Sequence, residues 1–339
     1  MDFGLTEEQE MLRRTARDFL GKECPKTVVR AMEKDEKGYS PEMLRKPAEL
    51  GWTGLVFPEE YGGSEGSFLD LAIILEEMGR ALLPGPFIST VVLGGLPILY
   101  AGSDEQKKTF LPRVAEGDLN ITLALTEPNA RYDAAGVEVK ASREGDGYIL
   151  SGTKLFVPGA HTADYLLWAA RTRESQSEEG ITLFLVDTED PGLSCVPLPT
   201  ISSDKLCEVT LQNVKVPLTD ILGEVGRGWD VINWVLERAA TAESIWMVGG
   251  AQQVLEMTTT YAKERIQFDR PIGSFQAIQH KCADMVVEID GARCIAYLAA
   301  WKLSEGLSAS LEVSMAKAWV SEAYRNVCFQ AHQIHGGIG

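Results

Sequence analysis

The sequence predicts a mostly α-helical protein with a β-rich module in its middle. Apolar residues recur at helical spacing in the first third of the chain. Between residues 120 and 216, short β-branched and aromatic runs alternate with Gly, Asp and Pro. Three long apolar-periodic segments follow residue 228. A chain of 339 residues usually forms two or three domains. We therefore expect a helical N-terminal domain (1–118), a small antiparallel β-barrel or sandwich (119–226) and a C-terminal antiparallel helical bundle (227–339).

Start signals mark the N-terminal helices. Thr6 and Gln9 form a capping box, because each side chain can bond the backbone N–H of the other residue. Pro41 is tolerated at the first position of a helix, so a second helix is expected to begin there. A third is expected over residues 69–83. Between these two, the sequence of residues 56–63 contains Pro and paired Gly and predicts a loop.

The middle and final segments are predicted from their periodicity and turn residues. Strands are expected over residues 120–125, 136–142, 148–157, 165–171, 181–186 and 207–216. Long helices are expected over residues 229–265, 275–306 and 311–334. Helices of this length usually pack antiparallel in a bundle.

Composition excludes several classes of protein. The chain carries 49 acidic against 32 basic residues, which argues against nucleic acid as a partner. The longest weakly polar run, residues 89–102, is too short for the roughly 20 residues of a membrane helix, and no secretory signal is seen, so a cytoplasmic protein is expected. Six cysteines without CxxC pairs and only four histidines predict reduced, buried thiols and no metal site.

Five motifs occur in order along these elements: Phe57–Gly63, Leu125-Thr126-Glu127-Pro128, Gly152–Val157, Arg265-x-x-Phe268-x-x-Pro271-Ile272-x-x-x-Gln276, and Gln333–Gly339. Together they resemble the acyl-CoA dehydrogenase family, from the first helix to the last residue. The resemblance implies an FAD cofactor and an acyl-CoA substrate. It also implies that a base removes the α-proton of the thioester and that the β-hydride moves to flavin N5, giving a 2-enoyl-CoA. Electrons would then pass to an electron-transferring flavoprotein or a similar acceptor.

The resemblance assigns flavin contacts in the β module to Leu125, Thr126, Phe156 and Val157. The Thr126 hydroxyl would donate to the flavin ring, and Phe156 would cover one of its faces. The structural alternatives are a threonine bonded to its own backbone and an aromatic ring in the core of the module.

The remaining implied FAD contacts lie near the C-terminal end: Arg265, Phe268, Gln276, Gln333, Gly336 and Gly337. Arg265 would bind the pyrophosphate, and the two glutamines would reach the FAD of a partner subunit. The alternatives are a solvated arginine and a Gly pair that merely ends a helix. A flavin site that spans subunits implies a homodimer or homotetramer, or an assembly with a paralogous subunit.

The chain departs from the family pattern in the segment that follows each β-module motif. Residues 129–133, Asn-Ala-Arg-Tyr-Asp, replace a Gly-Ser phosphate loop, which makes Arg131 and Tyr132 candidates for substrate or phosphate contacts. Pro158 replaces a hydroxyl residue that would meet flavin N5, and proline has neither a hydroxyl nor an N–H.

The catalytic base is not identified by the motifs. In most relatives this glutamate lies beyond the Gly-Gly motif, and the sequence stops at Gly339, before that point. A minority carry it on the first bundle helix, where this chain has Ala239. Glu243 lies one helical turn further on and is the remaining candidate to line the site.

Three explanations stay open for these departures. The first, which we prefer, is an enzyme whose C-terminal segment, with the base, is missing from the sequence. The second is a non-catalytic subunit of a heteromeric acyl-CoA dehydrogenase, which contributes half of an FAD site. The third is an acyl-CoA oxidase or another flavin reaction on the same scaffold.

Overall fold

The computed structural model describes residues 4–175 and 177–339. The α-helices in these residues are α1 (Glu7–Glu23), α2 (Lys26–Lys34), α3 (Glu42–Glu49), α4 (Phe68–Ala81), α5 (Leu96–Ala101), α6 (Asp104–Ala115), α7 (Gly228–Glu264), α8 (Gln276–Ser304) and α9 (Ser310–His335). The strands are β1 (Ile121–Ala124), β2 (Ala141–Glu144), β3 (Gly147–Pro158), β4 (Tyr165–Arg171), β5 (Ile181–Asp187), β6 (Leu193–Leu198), β7 (Leu206–Pro217), β8 (Ile221–Leu222), β9 (Ile266–Gln267) and β10 (Arg270–Pro271). The predicted order of helices, β module and helices is confirmed.

The strongest local signals place the helices correctly. Thr6 and Gln9 form the predicted capping box, with both bonds 3.2 Å long. The three long C-terminal helices agree with the predicted segments to within two residues at each end. The sequence analysis did not predict the π-helix over Ile88–Gly95, which precedes α5.

The β module consists of two four-stranded sheets, ordered β1-β4-β5-β8 and β2-β3-β7-β6. The prediction of a wholly antiparallel module is wrong, because β1 pairs parallel to β4. Between these two strands the chain crosses to the other sheet to form the β2–β3 hairpin, and it returns in the original direction. Among the described residues, an isolated parallel bridge between Lys140 and Arg171 links the two sheets in addition to the pairings within each sheet. The unpredicted β6 contains Pro197, which fits an edge strand because proline donates no ladder bond.

One predicted strand begins later than expected. Residues 136–142 were expected to form a strand, but β2 starts only at Ala141. The amides of Glu138 and Val139 instead donate to the carboxylate of Glu127, so these two amides bind a side chain and do not take part in the ladder of a sheet. The two sheets share one apolar core, centred on the fully buried Trp168 and Phe184.

The described residues divide into two compact units, one of residues 4–29, 67–83 and 240–339, and the other of residues 30–66 and 84–239. In the first unit, α1 packs against α4, α4 against α8, and α8 against α9. The α4 and α7 backbones approach closely at Gly79 and Gly249. A Cβ added there would lie 2.0 Å from the Trp246 carbonyl oxygen and 1.8 Å from the Glu76 carbonyl oxygen, respectively. This crossing therefore requires glycine on both helices.

Two further expectations concern cysteines and membranes. All six cysteines are free thiols, but only Cys24 and Cys207 are buried. The expectation of buried thiols is therefore wrong for the exposed Cys294 and for the three partly exposed cysteines, Cys195, Cys282 and Cys328. None of the helices in residues 4–175 and 177–339 is long and apolar enough to cross a bilayer.

Candidate functional site

The ends of β1 and β3 meet at the positions of two of the sequence motifs. The backbone N–H of Leu155 donates to the Thr126 carbonyl oxygen over 2.8 Å. Thr126 is half-buried, and its hydroxyl has no hydrogen-bond partner in the described part of the chain. The structure thus brings the Leu125–Thr126 pair beside the Phe156–Val157 pair and leaves a hydroxyl available there.

Phe156 sits in a strained backbone conformation. Its φ is +55°, in the left-handed region that a bulky residue rarely adopts. The register between β3 and β7 shifts between Lys154 and Val157, so Phe156 lies within an irregular part of the ladder. Its side chain is 48% exposed, whereas Val157 is buried in the core of the module. The core alternative therefore does not hold for Phe156, and strain of about 1–3 kcal/mol at an exposed aromatic indicates a functional position.

A buried ion pair joins the two strand ends. Lys154 Nζ lies 2.7 Å from Glu127 Oε1, and the two side chains are 0% and 5% exposed. The same ammonium donates to the Leu125 carbonyl oxygen over 3.1 Å. Neither residue was among the site residues expected from the sequence. One signal was available: Lys154 follows Leu150 by four positions in a strand, and such residues share one face of the sheet.

Burial shapes the protonation of this pair. Removal from water lowers the pKa of Lys154 from 10.5 to about 8, although the Glu127 carboxylate opposes this shift. Burial also lowers the pKa of Arg171. Among the described residues, the Arg171 guanidinium donates to four backbone carbonyls, those of Ala134, Val137, Ser177 and Glu179. Arg171 therefore fixes the loops beside the ion pair.

The loop after the Leu125–Pro128 motif is organised by its own side chains. Asn129 accepts from the Arg131 amide and donates to the Gly136 carbonyl oxygen. Arg131 binds Asp133 through two nitrogens, over 3.1 and 2.7 Å, and Tyr132 is 80% exposed. Any phosphate that binds Arg131 would compete with Asp133 for the guanidinium.

In the helical unit, the Arg265 motif forms a short hairpin after α7. The hairpin turn contains Phe268 and Asp269, which have φ values of +54° and +61° although neither is glycine. Two positive φ values define a type I′ turn, which usually requires Asn or Gly. Phe268 is 86% exposed at the tip, and Gln276 begins α8 on the exposed surface.

The last motif lies at the end of α9. Gly336 ends this helix with φ +67°, so the helix-ending alternative describes its backbone. The rings of Tyr261 and His335 stack 4.3 Å apart, which joins the end of α7 to the end of α9. Gln333, Gly336 and the hairpin therefore lie at the same end of the helical unit.

The candidate base, Glu243, does not lie in the buried environment that the reaction needs. Glu243 lies on α7 with its side chain exposed, near Ala239 in sequence. Over residues 4–175 and 177–339, no cluster of three or more His, Cys, Asp or Glu side chains could hold a metal ion.

Comparison with known proteins identifies the family. Three models match: the acyl-CoA dehydrogenase N-terminal domain over residues 6–118, middle domain over 122–214 and C-terminal domain over 226–339. The probable acyl-CoA dehydrogenase YngJ of Bacillus subtilis is 38% identical, over 100% of this chain and 90% of its own length. The caffeyl-CoA reductase-Etf complex subunit CarC of Acetobacterium woodii is 34% identical, over 98% of this chain and 89% of its own length. The butyryl-CoA dehydrogenase structure from Megasphaera elsdenii has a TM-score of 0.92 at 34% identity, covering 100% of this chain and 90% of that chain. The chain therefore belongs to the acyl-CoA dehydrogenase family.

Proposed function

We propose that this chain oxidises a saturated acyl-CoA thioester to the 2-enoyl-CoA with FAD as its cofactor. The observation that carries the proposal is the arrangement at the ends of β1 and β3. A half-buried hydroxyl on Thr126, with no hydrogen-bond partner among residues 4–175 and 177–339, lies beside a strained, half-exposed aromatic at Phe156. When bound, FAD supplies the two-electron redox chemistry, and the protein supplies position and electrostatics.

These residues fit the flavin ring. A ring with polar atoms along one edge and two flat faces needs a hydrogen-bond donor and an apolar cover, which Thr126 and Phe156 provide. Leu125 adds apolar contact, whereas Val157 is buried and supports the site from within the core. Pro158 offers no donor to flavin N5, so we place no such contact on this chain.

The second group of cofactor residues is assigned to a partner subunit's FAD. Arg265 is exposed beside the hairpin, and Gln276, Gln333, Gly336 and Gly337 are exposed at the same end of the unit. An exposed guanidinium can bind a pyrophosphate through two parallel bonds. We therefore propose an oligomer in which the hairpin tip, with Phe268, contacts the neighbouring protomer.

The substrate and the electron acceptor complete the proposal. Tyr132 and Arg131 lie on the exposed loop after the Thr126 motif and are proposed to contact the acyl-CoA. A relative is named as a subunit of an Etf complex, which supports an electron-transferring flavoprotein as acceptor. Several relatives are named as reductases, so the physiological direction follows from the acceptor's potential.

The test of this function is reduction of the bound flavin by substrate. The full-length protein is purified, its visible flavin absorbance is recorded, and saturated acyl-CoAs of increasing chain length are added without oxygen. We expect a yellow protein that bleaches with at least one thioester. Failure to bind FAD, or an unchanged spectrum with every thioester even after co-expression with a paralogous subunit, contradicts the proposal. Activity only with the paralogue identifies a half-site subunit, and rapid reoxidation by oxygen identifies an oxidase.

The base is tested by replacing Glu243 with glutamine. A base for this reaction needs burial that raises its pKa, and Glu243 is exposed. We therefore expect Glu243→Gln to reduce the flavin at a rate within about threefold of the wild type. The control, Glu237→Gln, is expected to stay within the same range. A loss of roughly 10²- to 10⁴-fold in Glu243→Gln alone would instead make Glu243 the base.

A further inference from the structure

We propose that the buried Lys154–Glu127 ion pair is a positioning device for the flavin site: it holds Thr126 and Phe156 in the arrangement that binds the cofactor. The role in cofactor binding rests on the proposed function, whereas the role in holding the strand ends does not. Neither residue is itself an expected cofactor contact, and both act through their neighbours, Lys154 through the Leu125 carbonyl oxygen that it binds.

The pair is enclosed by the module, and both of its side chains make several hydrogen bonds. Lys154 donates to Glu127 and to the Leu125 carbonyl oxygen, and its ammonium lies 5.5 Å from the centre of the Trp168 ring. The Glu127 carboxylate also accepts from the amides of Glu138 and Val139, over 3.0 to 3.2 Å. One carboxylate thus ties together the end of β1, the segment before β2, and β3.

The two residues of the pair flank the expected flavin contacts in the sequence. Glu127 directly follows Thr126, and Lys154 precedes Phe156 by two residues. Lys154 pairs with Val209 of β7, and the register then shifts before Val157. Lys154 is therefore the last regularly paired residue before the strained one. A strand that slips by one residue turns every following side chain to the opposite face, so the anchoring of Lys154 decides which way Phe156 points.

Stability alone does not explain why a charged pair is buried here. Removing two charges from water costs several kcal/mol per ion, and apolar replacements of buried pairs are often equally stable. The other ion pairs among the described residues of this module, Arg131–Asp133, Lys140–Glu174 and Lys215–Glu144, are all more than half exposed. The buried pair is needed where a carbonyl and two amides must be held at fixed points beside a strained residue.

The experiment compares three variants of the full-length protein with a matched control. The variants are Lys154→Met, Glu127→Gln and the double variant, which removes both charges of the pair. The control is Leu150→Ala, because Leu150 is fully buried in the same strand and core but away from the strand end. Three quantities are measured: the melting temperature, the FAD dissociation constant with the visible flavin spectrum, and hydrogen exchange in the FAD-free protein. The exchange probes are the amides of Leu155, Glu138 and Val139, which bond to Thr126 and Glu127.

We expect each variant at the pair to weaken FAD binding by about tenfold or more and to shift the flavin spectrum. We expect the three amides to exchange at least about tenfold faster than in the wild type. Leu150→Ala should lower the melting temperature comparably but change the FAD dissociation constant by less than about threefold. If Lys154→Met does not fold, the double variant decides: it should be folded and still bind FAD weakly.

Wild-type FAD affinity and spectrum in the folded double variant would overturn the proposal. So would amide exchange in the pair variants that is no faster than in Leu150→Ala. If the wild type itself binds no FAD, the proposed function fails, and the exchange of the three amides still decides whether the pair holds the strand ends.

Discussion

Replacing Gly249 with alanine is expected to destabilise the helical unit by at least about 3 kcal/mol, which is a large part of the 5–15 kcal/mol by which domains are usually stable. The new Cβ would lie 1.8 Å from the Glu76 carbonyl oxygen, and the Arg80 amide nitrogen is only 2.8 Å away. Both contacts are backbone atoms of α4, which cannot rotate aside as a side chain would. The two helices must separate, and the contacts between them are then lost.

A second substitution on the facing helix tests the same crossing. Gly79→Ala places a Cβ 2.0 Å from the Trp246 carbonyl oxygen and should destabilise similarly. Gly21→Ala is the matched control, because Gly21 lies in α1 with nothing within 4 Å of the added Cβ. This control should stabilise the protein by about 0.5–1 kcal/mol. Urea unfolding of the three variants measures these values. A Gly249→Ala protein as stable as the wild type would show that the crossing can widen at little cost.

The stability of the protein is expected to rise with pH above about 8 because of Lys154. Burial lowers the pKa of this lysine from 10.5 in the unfolded chain to about 8 in the folded protein. Between these values the unfolded state binds more protons than the folded state, so the free energy of unfolding increases with pH. Below the folded pKa both states are protonated, and the cost of burying the ammonium is fully present. The shift corresponds to an increase of roughly 3 kcal/mol in the free energy of unfolding as pH rises from about 8 to 10.5.

The contribution of Lys154 to the pH dependence of stability is obtained as the difference between the wild type and a variant that lacks this lysine. The charged groups around it are Glu127, which is in contact, and Arg171, which interacts with Glu127. Unfolding free energies of the wild type and Lys154→Met are compared from about pH 7 to about pH 10. The control is Lys215→Met, since Lys215 is largely exposed. A lysine ¹³Cε titration gives the folded pKa directly. A midpoint near 10.5, or a difference between the proteins that stays flat with pH, would contradict the prediction.

The sequence by itself determined the order of the elements and the family. Helical periodicity located α7, α8 and α9, and the Thr6–Gln9 capping box marked the start of α1, because these signals depend only on residues near each other in the chain. The motif around Thr126 and the motif around Phe156 were recognised separately. That their backbones meet through the Leu155 amide is a long-range contact, which periodicity does not encode.

Only the tertiary structure decided the details that give the site its chemistry. Lys154 and Glu127 are charged residues that sequence reasoning places at a surface by default, and they are buried because each satisfies the other. The positive φ of Phe156 follows from a register shift between two strands, and the parallel β1–β4 pair follows from the path of the chain between the two sheets. The close crossing at Gly79 and Gly249 depends on two helices far apart in sequence. Local propensity determines which helices and strands form. Burial and long-range contacts determine which side chains lie together. The pKa of Lys154 and the backbone strain at Phe156 therefore depend on the tertiary structure.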